Sequence, residues 1–287
     1  MAATIYDDDD ADLSFVQKRN VAILGYGRDG EAHALSLRDS GVDVRVGLPA
    51  SSRNRGPAEA EGLRVVEPYE ACEEADLVAV LAPAAAQAAL YREAIAPNLV
   101  GGEALLFARG LGVHFGLVTP PDDVDVMLVA PQAPGDVVRR EFSAGRGVPA
   151  LVAVHQDSSG EAWDLALSYA RAIGGTRGGA LRTTFAEESE TDLFGVQAVR
   201  AGGVPALVRA AVDTLVDAGY QPEVAYLACV AELSRVVERL WVDGGGDAPR
   251  WTLPPARRGE TTSGARVVDV HVRATLGALL AEVRAQR

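Results

Sequence analysis

The run Val21-Ala22-Ile23-Leu24-Gly25-Tyr26-Gly27-Arg28-Asp29-Gly30 constrains this chain more than any other stretch. Four successive apolar residues suit a strand buried on both faces, and the glycines after them have the spacing G-x-G-x-x-G. At that spacing Gly25 permits a tight turn, Gly27 lets a pyrophosphate reach the backbone, and Gly30 lets the next helix pack closely on the strand. A helix over 31–38 would then aim free N–H groups at the phosphates. A second strand over 42–46 returns about 20 residues after the first, completing a βαβ unit. Gly25, Tyr26, Gly27, Arg28, Asp29 and Gly30 are therefore expected to bind a dinucleotide.

The segment after the second strand, Leu48-Pro49-Ala50-Ser51-Ser52-Arg53-Asn54-Arg55, decides which nicotinamide cofactor fits. An NAD site usually places a carboxylate there for the ribose 2′-hydroxyl; this loop offers hydroxyls and two guanidinium groups. Ser51, Ser52 and Arg53 are expected to hold a 2′-phosphate, so NADPH is favoured over NADH.

Alternation continues, with strands expected at 64–66, 76–81, 104–108, 124–129 and 150–155 and helices at 69–74, 85–95 and 160–173. Residues 1–183 thus read as one α/β domain with a doubly wound, Rossmann-type sheet. Its catalytic edge falls at the carboxyl ends of the strands, near Gly25, Leu81, Ala108 and Ala130, with Pro83, Gln87 and Gly135 as further cofactor-facing positions. Before the first strand, Ile5, Tyr6, Leu13 and Phe15 can pack onto this domain, and Asp7 to Asp10 read as a solvated charge run rather than a cation site. From residue 184 to 287 the pattern is helical only, at 192–200, 204–218, 222–241 and 267–284, with breaks at Gly219 and Gly244-Gly245-Gly246. A small helical domain with this much apolar surface needs the first domain or a second subunit to cover it.

Composition narrows the classes further. A chain of 287 residues with 48% hydrophobic content is globular, and its formal charge of -13 argues against a nucleic-acid or acidic-membrane partner. Cys72 and Cys229 give no metal spacing and read as reduced thiols. With no long apolar span and an acidic N-terminus, a cytoplasmic protein is expected.

Over nearly its whole length the chain resembles the class I (short-form) ketol-acid reductoisomerases of branched-chain amino-acid synthesis. The resemblance is carried by Gly25-Tyr26-Gly27, Ala32-His33-Ala34-Leu35, Ala96-Pro97-Asn98-Leu99, Val113-His114-Phe115-Gly116, Ile173-Gly174-Gly175-Thr176-Arg177, Glu190-Thr191-Asp192-Leu193-Phe194-Gly195 and Ala218-Gly219-Tyr220-Gln221-Pro222-Glu223, in that order. It implies an N-terminal Rossmann domain, a knotted helical C-terminal domain, and a dimer or larger homo-oligomer with an active site completed across subunits. It also implies a two-Mg²⁺ alkyl migration on an acetohydroxy acid, followed by hydride transfer from NAD(P)H.

Against that pattern the chain keeps Asp192 but has Val196 where the family has a glutamate, and has Ala228 and Glu232 where it has two. Hard cations need several carboxylate oxygens, so the expectation is no dinuclear centre, and at most one weak Mg²⁺ on Asp192 and Glu232. The family's histidine position is Arg109, its lysine position Gln132, and its substrate loop is replaced by Leu253-Pro254-Pro255-Ala256-Arg257-Arg258. Asp192 and Glu232 read either as acid/base or one-metal residues or as members of helix ion pairs. Arg109 suits a carboxylate or enolate oxygen, and Gln132 a neutral donor to substrate. His114 reads as orienting its loop. The expected function is an NADPH-dependent reductase of C=O or C=N bonds on this scaffold, acting on a small molecule in specialised metabolism. The alternatives are a redox-neutral cyclase, isomerase or lyase, an authentic ketol-acid reductoisomerase, and a non-catalytic homologue.

Overall fold

The computed structural model describes residues 3–245 and 260–286. Among these, nine strands form one sheet in the order β1-β9-β8-β7-β6-β5-β2-β3-β4. They are β1 (Ile5–Tyr6), β2 (Asn20–Leu24), β3 (Asp43–Gly47), β4 (Arg64–Val66), β5 (Leu77–Val80), β6 (Ala104–Phe107), β7 (Asp125–Pro131), β8 (Ala150–Gln156) and β9 (Ala180–Arg182). β2 is an interior strand parallel to both neighbours, with Ile23 opposite Val46 of β3 on one side and Ala79 of β5 on the other. Strand order therefore reverses beside β2, which opens a crevice between the carboxyl ends of β2 and β5. β8 runs antiparallel to β7, and β1 antiparallel to β9.

The unbroken apolar run of β2 follows from cover on both sheet faces. Its side chains alternate: Val21 and Ile23 join one core cluster with Leu35, Leu37 and Tyr169, while Ala22 and Leu24 join another with Ala71, Cys72, Ile95 and Phe107. The helices of this part are α1 (Ser14–Gln17), α2 (Arg28–Asp39), α3 (Arg55–Ala60), α4 (Pro68–Glu73), α5 (Ala84–Leu90), α6 (Leu111–His114), α7 (Gly135–Ser143) and α8 (Ala162–Ala172). The expected helix 85–95 is α5 followed by a π-turn, Tyr91–Ile95.

The doubly wound sheet is as expected, with additions that local pattern cannot show. β1 and β9 are two and three residues long, too short for alternation. α1, α3, α6 and α7 are likewise short pieces in segments rich in loop residues. The N-terminal arm adds β1 to the sheet edge, and Tyr6, Leu13 and Phe15 pack on the core. The acidic run is more than a solvated face: Asp7 caps a 3₁₀ turn over Asp8–Asp10, and Asp8 accepts from Thr176 and lies 3.6 Å from Arg177.

α9 (Phe185–Gly195) continues through a π-turn, Val196–Arg200, and is followed by α10 (Gly203–Asp217), α11 (Pro222–Val230), α12 (Leu233–Gly245), α13 (Ala265–Val267) and α14 (Val270–Arg284). The helical character matches expectation, but the single helix read over 222–241 is two, stepped at 231–232. α12 runs through Gly244 and Gly245 rather than breaking there. Gly246 and the 253–258 segment, with Arg257 and Arg258, lie outside the described residues. By internal packing the chain divides into a unit Met1–Ser189 and a unit Glu190–Gln286. Among the described residues no helix is long and apolar enough to cross a membrane. Both cysteines are free, and burial, with the Glu103 charge, pushes the Cys72 thiol up to about 12, leaving it unreactive.

His33 on α2 is buried with Nδ1 3.0 Å from the Tyr169 hydroxyl, and burial lowers its pKa from 6.5 to about 4. The unfolded chain therefore takes up a proton below pH 6.5 that the folded chain refuses, so stability falls as pH drops from 6.5 towards 4. In urea titrations at pH 7.5 and 5.0, His33→Gln should lose less stability on acidification than the parent, by about 2 kcal/mol. Equal losses in the two proteins would show that His33 does not titrate this way.

Candidate active site

The glycine turn sits at the crevice, and close contacts require glycine at Gly25 and Gly30. Gly25 has φ +105°, and a Cβ on it would lie 2.7 Å from the Ala82 backbone nitrogen. That is the close approach of the β2 turn to the end of β5, reinforced by the Leu81 N–H donating to the Leu24 carbonyl at 2.9 Å. A Cβ on Gly30 would overlap the Gly25 carbonyl oxygen. Around a Gly27 Cβ, by contrast, nothing lies within 4 Å, and Gly27, Arg28 and Asp29 are exposed. Gly27 is the N-cap of α2 and no side-chain hydrogen bond caps that end, which leaves its first N–H groups for another acceptor.

Two residues of this turn behave differently from a simple cofactor contact. The Tyr26 ring is buried in the core beside α2, so it can offer a ligand only its backbone. Its environment, chiefly burial and then the Glu31 and Glu61 charges, pushes the phenol up to about 12. The Asp29 carboxylate accepts from the Gly135 N–H at 3.1 Å, docking the start of α7 onto the start of α2. Gly135 must be glycine for this, since a Cβ there would overlap the Arg28 carbonyl.

The loop after β3 is braced from within. Arg55 donates to the Leu48 carbonyl at 2.6 Å and the Val65 carbonyl at 3.3 Å, and pairs with Glu67 at 3.3 Å. Asn54 Nδ2 donates to the Tyr26 carbonyl at 2.6 Å, tying the loop to the glycine turn. Of the two guanidinium groups, Arg55 is thus spent on the loop itself, while Arg53 and Ser51 are exposed and Ser52 half-buried. β3 ends in Gly47, where a Cβ would lie 2.5 Å from Leu24 Cδ2, so no carboxylate stands there.

The remaining strand ends complete the edge. After β5, Pro83 is exposed and Leu81 half-buried, but Gln87 turns inward: its Nε2 donates to the Ala82 carbonyl at 3.0 Å and its Oε1 packs against Gly112. Gln87 therefore buttresses the β5 loop instead of facing a ligand. After β6, Arg109 is exposed on a turn whose next residue, Gly110, is tightly held. Glu188, only 3% exposed, accepts the Gly110 N–H at 2.8 Å. A Cβ on Gly110 would meet Ser189 Oγ at 2.8 Å and Phe185 at 3.1 Å. Glu188 was not foreseen, because a glutamate within Glu187-Glu188-Ser189-Glu190 reads as part of a solvated acidic run. After β7, Gln132 is exposed, with Nε2 donating to the Ala130 carbonyl at 2.9 Å. His114 ends α6 and packs edge-on against Phe115 at 4.6 Å.

In the helical unit both retained carboxylates have arginine partners. Asp192 Oδ1 lies 2.5 Å from Arg200 Nη2, and Glu232 lies 3.2 Å from Arg235. Val196 opens the π-turn one helical turn after Asp192, and Glu232 stands in the step between α11 and α12 rather than within a helix. Within one chain, no group of three or more His, Cys, Asp or Glu among the described residues could hold a metal ion.

Residues 15–179 match the family described as acetohydroxy acid isomeroreductase, NADPH-binding domain, and residues 185–287 match ketol-acid reductoisomerase, C-terminal domain. The chain is 53% identical over 285 residues to the ketol-acid reductoisomerase (NADP(+)) of Saccharopolyspora erythraea, covering 99% of this chain and 86% of that one. It is 55% identical over 281 residues to the protein of the same name from Renibacterium salmoninarum, covering 98% and 82%. A solved NADH-preferring ketol-acid reductoisomerase from an uncultured archean superposes with a TM-score of 0.88 at 37% identity, covering 98% of this chain and 86% of that one. With both parts of its length matched in order, the chain belongs to the ketol-acid reductoisomerase family.

Proposed function

We propose that this chain is an NADPH-dependent oxidoreductase acting on the ketol acids of its family, and that it performs the family's complete reductoisomerase reaction. The observation that carries this reading is identity of 53% and 55%, across 99% and 98% of the chain, with two proteins named for that reaction. Gly27 and the open end of α2 receive the pyrophosphate, and Arg53 with Ser51 and Ser52 takes the 2′-phosphate. A nicotinamide cofactor bound there would supply the hydride that reduces a substrate carbonyl. Arg109, held by the Glu188 clamp on Gly110, stabilises the oxygen on which negative charge develops. Gln132 donates to the substrate.

A second reading, reduction without alkyl migration, is favoured by the donor set. Two hard cations need many oxygen ligands, and Asp192 and Glu232, each already paired with arginine, are too few to neutralise them. A two-ion centre does not fit these residues, and no step above is routed through one.

We infer that the partner is a second copy of the chain. The helical unit exposes Val199, Leu207, Val224, Tyr226, Leu227 and Val237, more apolar surface than a lone helical unit leaves to water. Sedimentation equilibrium should give a mass at least twice 30.0 kDa, and a single-chain mass would end this inference.

The reaction is tested by following NADPH consumption with an acetohydroxy acid and, separately, with its rearranged 3-hydroxy-2-oxo isomer, with Mg²⁺ or with chelator. Turnover of both substrates, the first only with Mg²⁺, supports the complete reaction. Turnover of the rearranged acid alone supports the second reading, and turnover of neither overturns both. In the same assays Arg53→Ala should weaken NADPH about 10-fold or more and leave NADH nearly unchanged, given the strength of a charge-assisted phosphate contact. An equal loss for both cofactors would show that Arg53 does not read the 2′-phosphate.

A further inference from the structure

We propose that Asn54 is a positioning residue that couples the two phosphate subsites of the cofactor, holding Arg53 at the 2′-phosphate in register with the glycine turn at the pyrophosphate. The inference rests on the NADPH reading above and adds a residue to it. Asn54 stands at the N-cap of α3, where asparagine ordinarily turns its side chain onto the first N–H groups of its own helix. Here it makes no such bond. Its Nδ2 instead donates across 28 positions of sequence to the Tyr26 carbonyl at 2.6 Å. A carbonyl only accepts, so the amide nitrogen is the atom that must face the turn.

That carbonyl belongs to the planar peptide unit between Tyr26 and Gly27, which carries the Gly27 N–H at its other end. Asn54 therefore grips the stretch of backbone proposed to meet the pyrophosphate. On its own loop it holds the other subsite as well: its backbone N–H donates to Ser52 Oγ at 3.3 Å, and Arg53 lies between the two residues. The Arg55 brace runs elsewhere, to the Leu48 and Val65 carbonyls and to Glu67. Arg55 thus fixes the loop, and Asn54 fixes its distance from the turn. NADPH must reach both subsites at once, with a spacing set by its own covalent frame, whereas NADH asks only for the turn. A loop untied from the turn keeps its Arg55 brace but loses that spacing, and the cost falls on the phosphorylated cofactor.

The test is a binding cycle. NADPH and NADH are titrated, by the fluorescence of the reduced nicotinamide, into the full-length parent, Asn54→Ala, Arg53→Ala and the double variant, without substrate. Asn54→Ala should weaken NADPH about fivefold or more and NADH by less than about twofold, the scale of one lost hydrogen bond acting through a charged contact. In the Arg53→Ala background the same change should cost NADPH no more than it costs NADH, because no charged contact is left to misplace. Asn54→Leu, which keeps side-chain volume without the donor, should repeat this pattern and replaces Asn54→Ala if that variant does not fold. Unchanged NADPH affinity, an equal loss for both cofactors, or losses at Asn54 and Arg53 that multiply would overturn the proposal. Arg53→Ala without effect on NADPH would instead strike the 2′-phosphate reading itself, and this inference with it.

Discussion

The structure depends on one close approach, between the turn at Gly25 and the start of the β5 loop at Ala82. The backbone segments come together so tightly that a single Cβ would lie 2.7 Å from a backbone nitrogen. This contact sits where the strand order reverses, and it fixes the start of α2 relative to the end of β5. Gly30 repeats the theme by bringing α2 against the turn, and Gly135 repeats it by bringing α7 against α2. The empty space over Gly27 is what these approaches leave behind. The phosphate site proposed for this space would be produced by where backbone is allowed to go, with side chains added around it.

That logic also explains what could be read in advance. The three glycines of the turn were legible because each role follows from spacing within one βαβ unit. Gly135 was legible only as a position near the edge, because its reason is the Asp29 and Arg28 backbone region, 106 residues away in sequence for Asp29. Arg53 was the arginine named from the sequence as a phosphate ligand, although Arg55 is the same residue type two positions on. The fold separates them by turning Arg55 back onto Leu48 and Val65. Gln87 looked like a ligand because it follows a strand end, but its amide is consumed by the loop it stands on. Glu188 was hidden because burial of one glutamate among three is a tertiary event, decided by the Gly110 N–H that it meets.

The helical unit shows the converse case, where the sequence announced a loss and the structure shows what stands in its place. Val196 and Ala228 read from the sequence as missing carboxylates. The remaining Asp192 and Glu232 do not stand alone, since each has an arginine, and the π-turn after α9 brings one of those arginines into register. Charge balance around Asp192 is thus achieved inside the chain. An architecture close to that of the solved ketol-acid reductoisomerase, at a TM-score of 0.88, coexists with this local change, because a few substitutions on two helices leave the packing of the sheet untouched.

The central claim, that the space over Gly27 is the pyrophosphate site of a nicotinamide cofactor, is tested most directly by NADPH titration of Gly27→Val followed calorimetrically. A Cβ here meets no protein atom within 4 Å, and Gly27 has φ −86°, which any residue adopts. The variant should therefore unfold at the parent's urea midpoint but bind NADPH at least about 100-fold more weakly, the loss expected when a side chain fills a phosphate's place. Binding at parental affinity by a stably folded Gly27→Val protein would contradict the account.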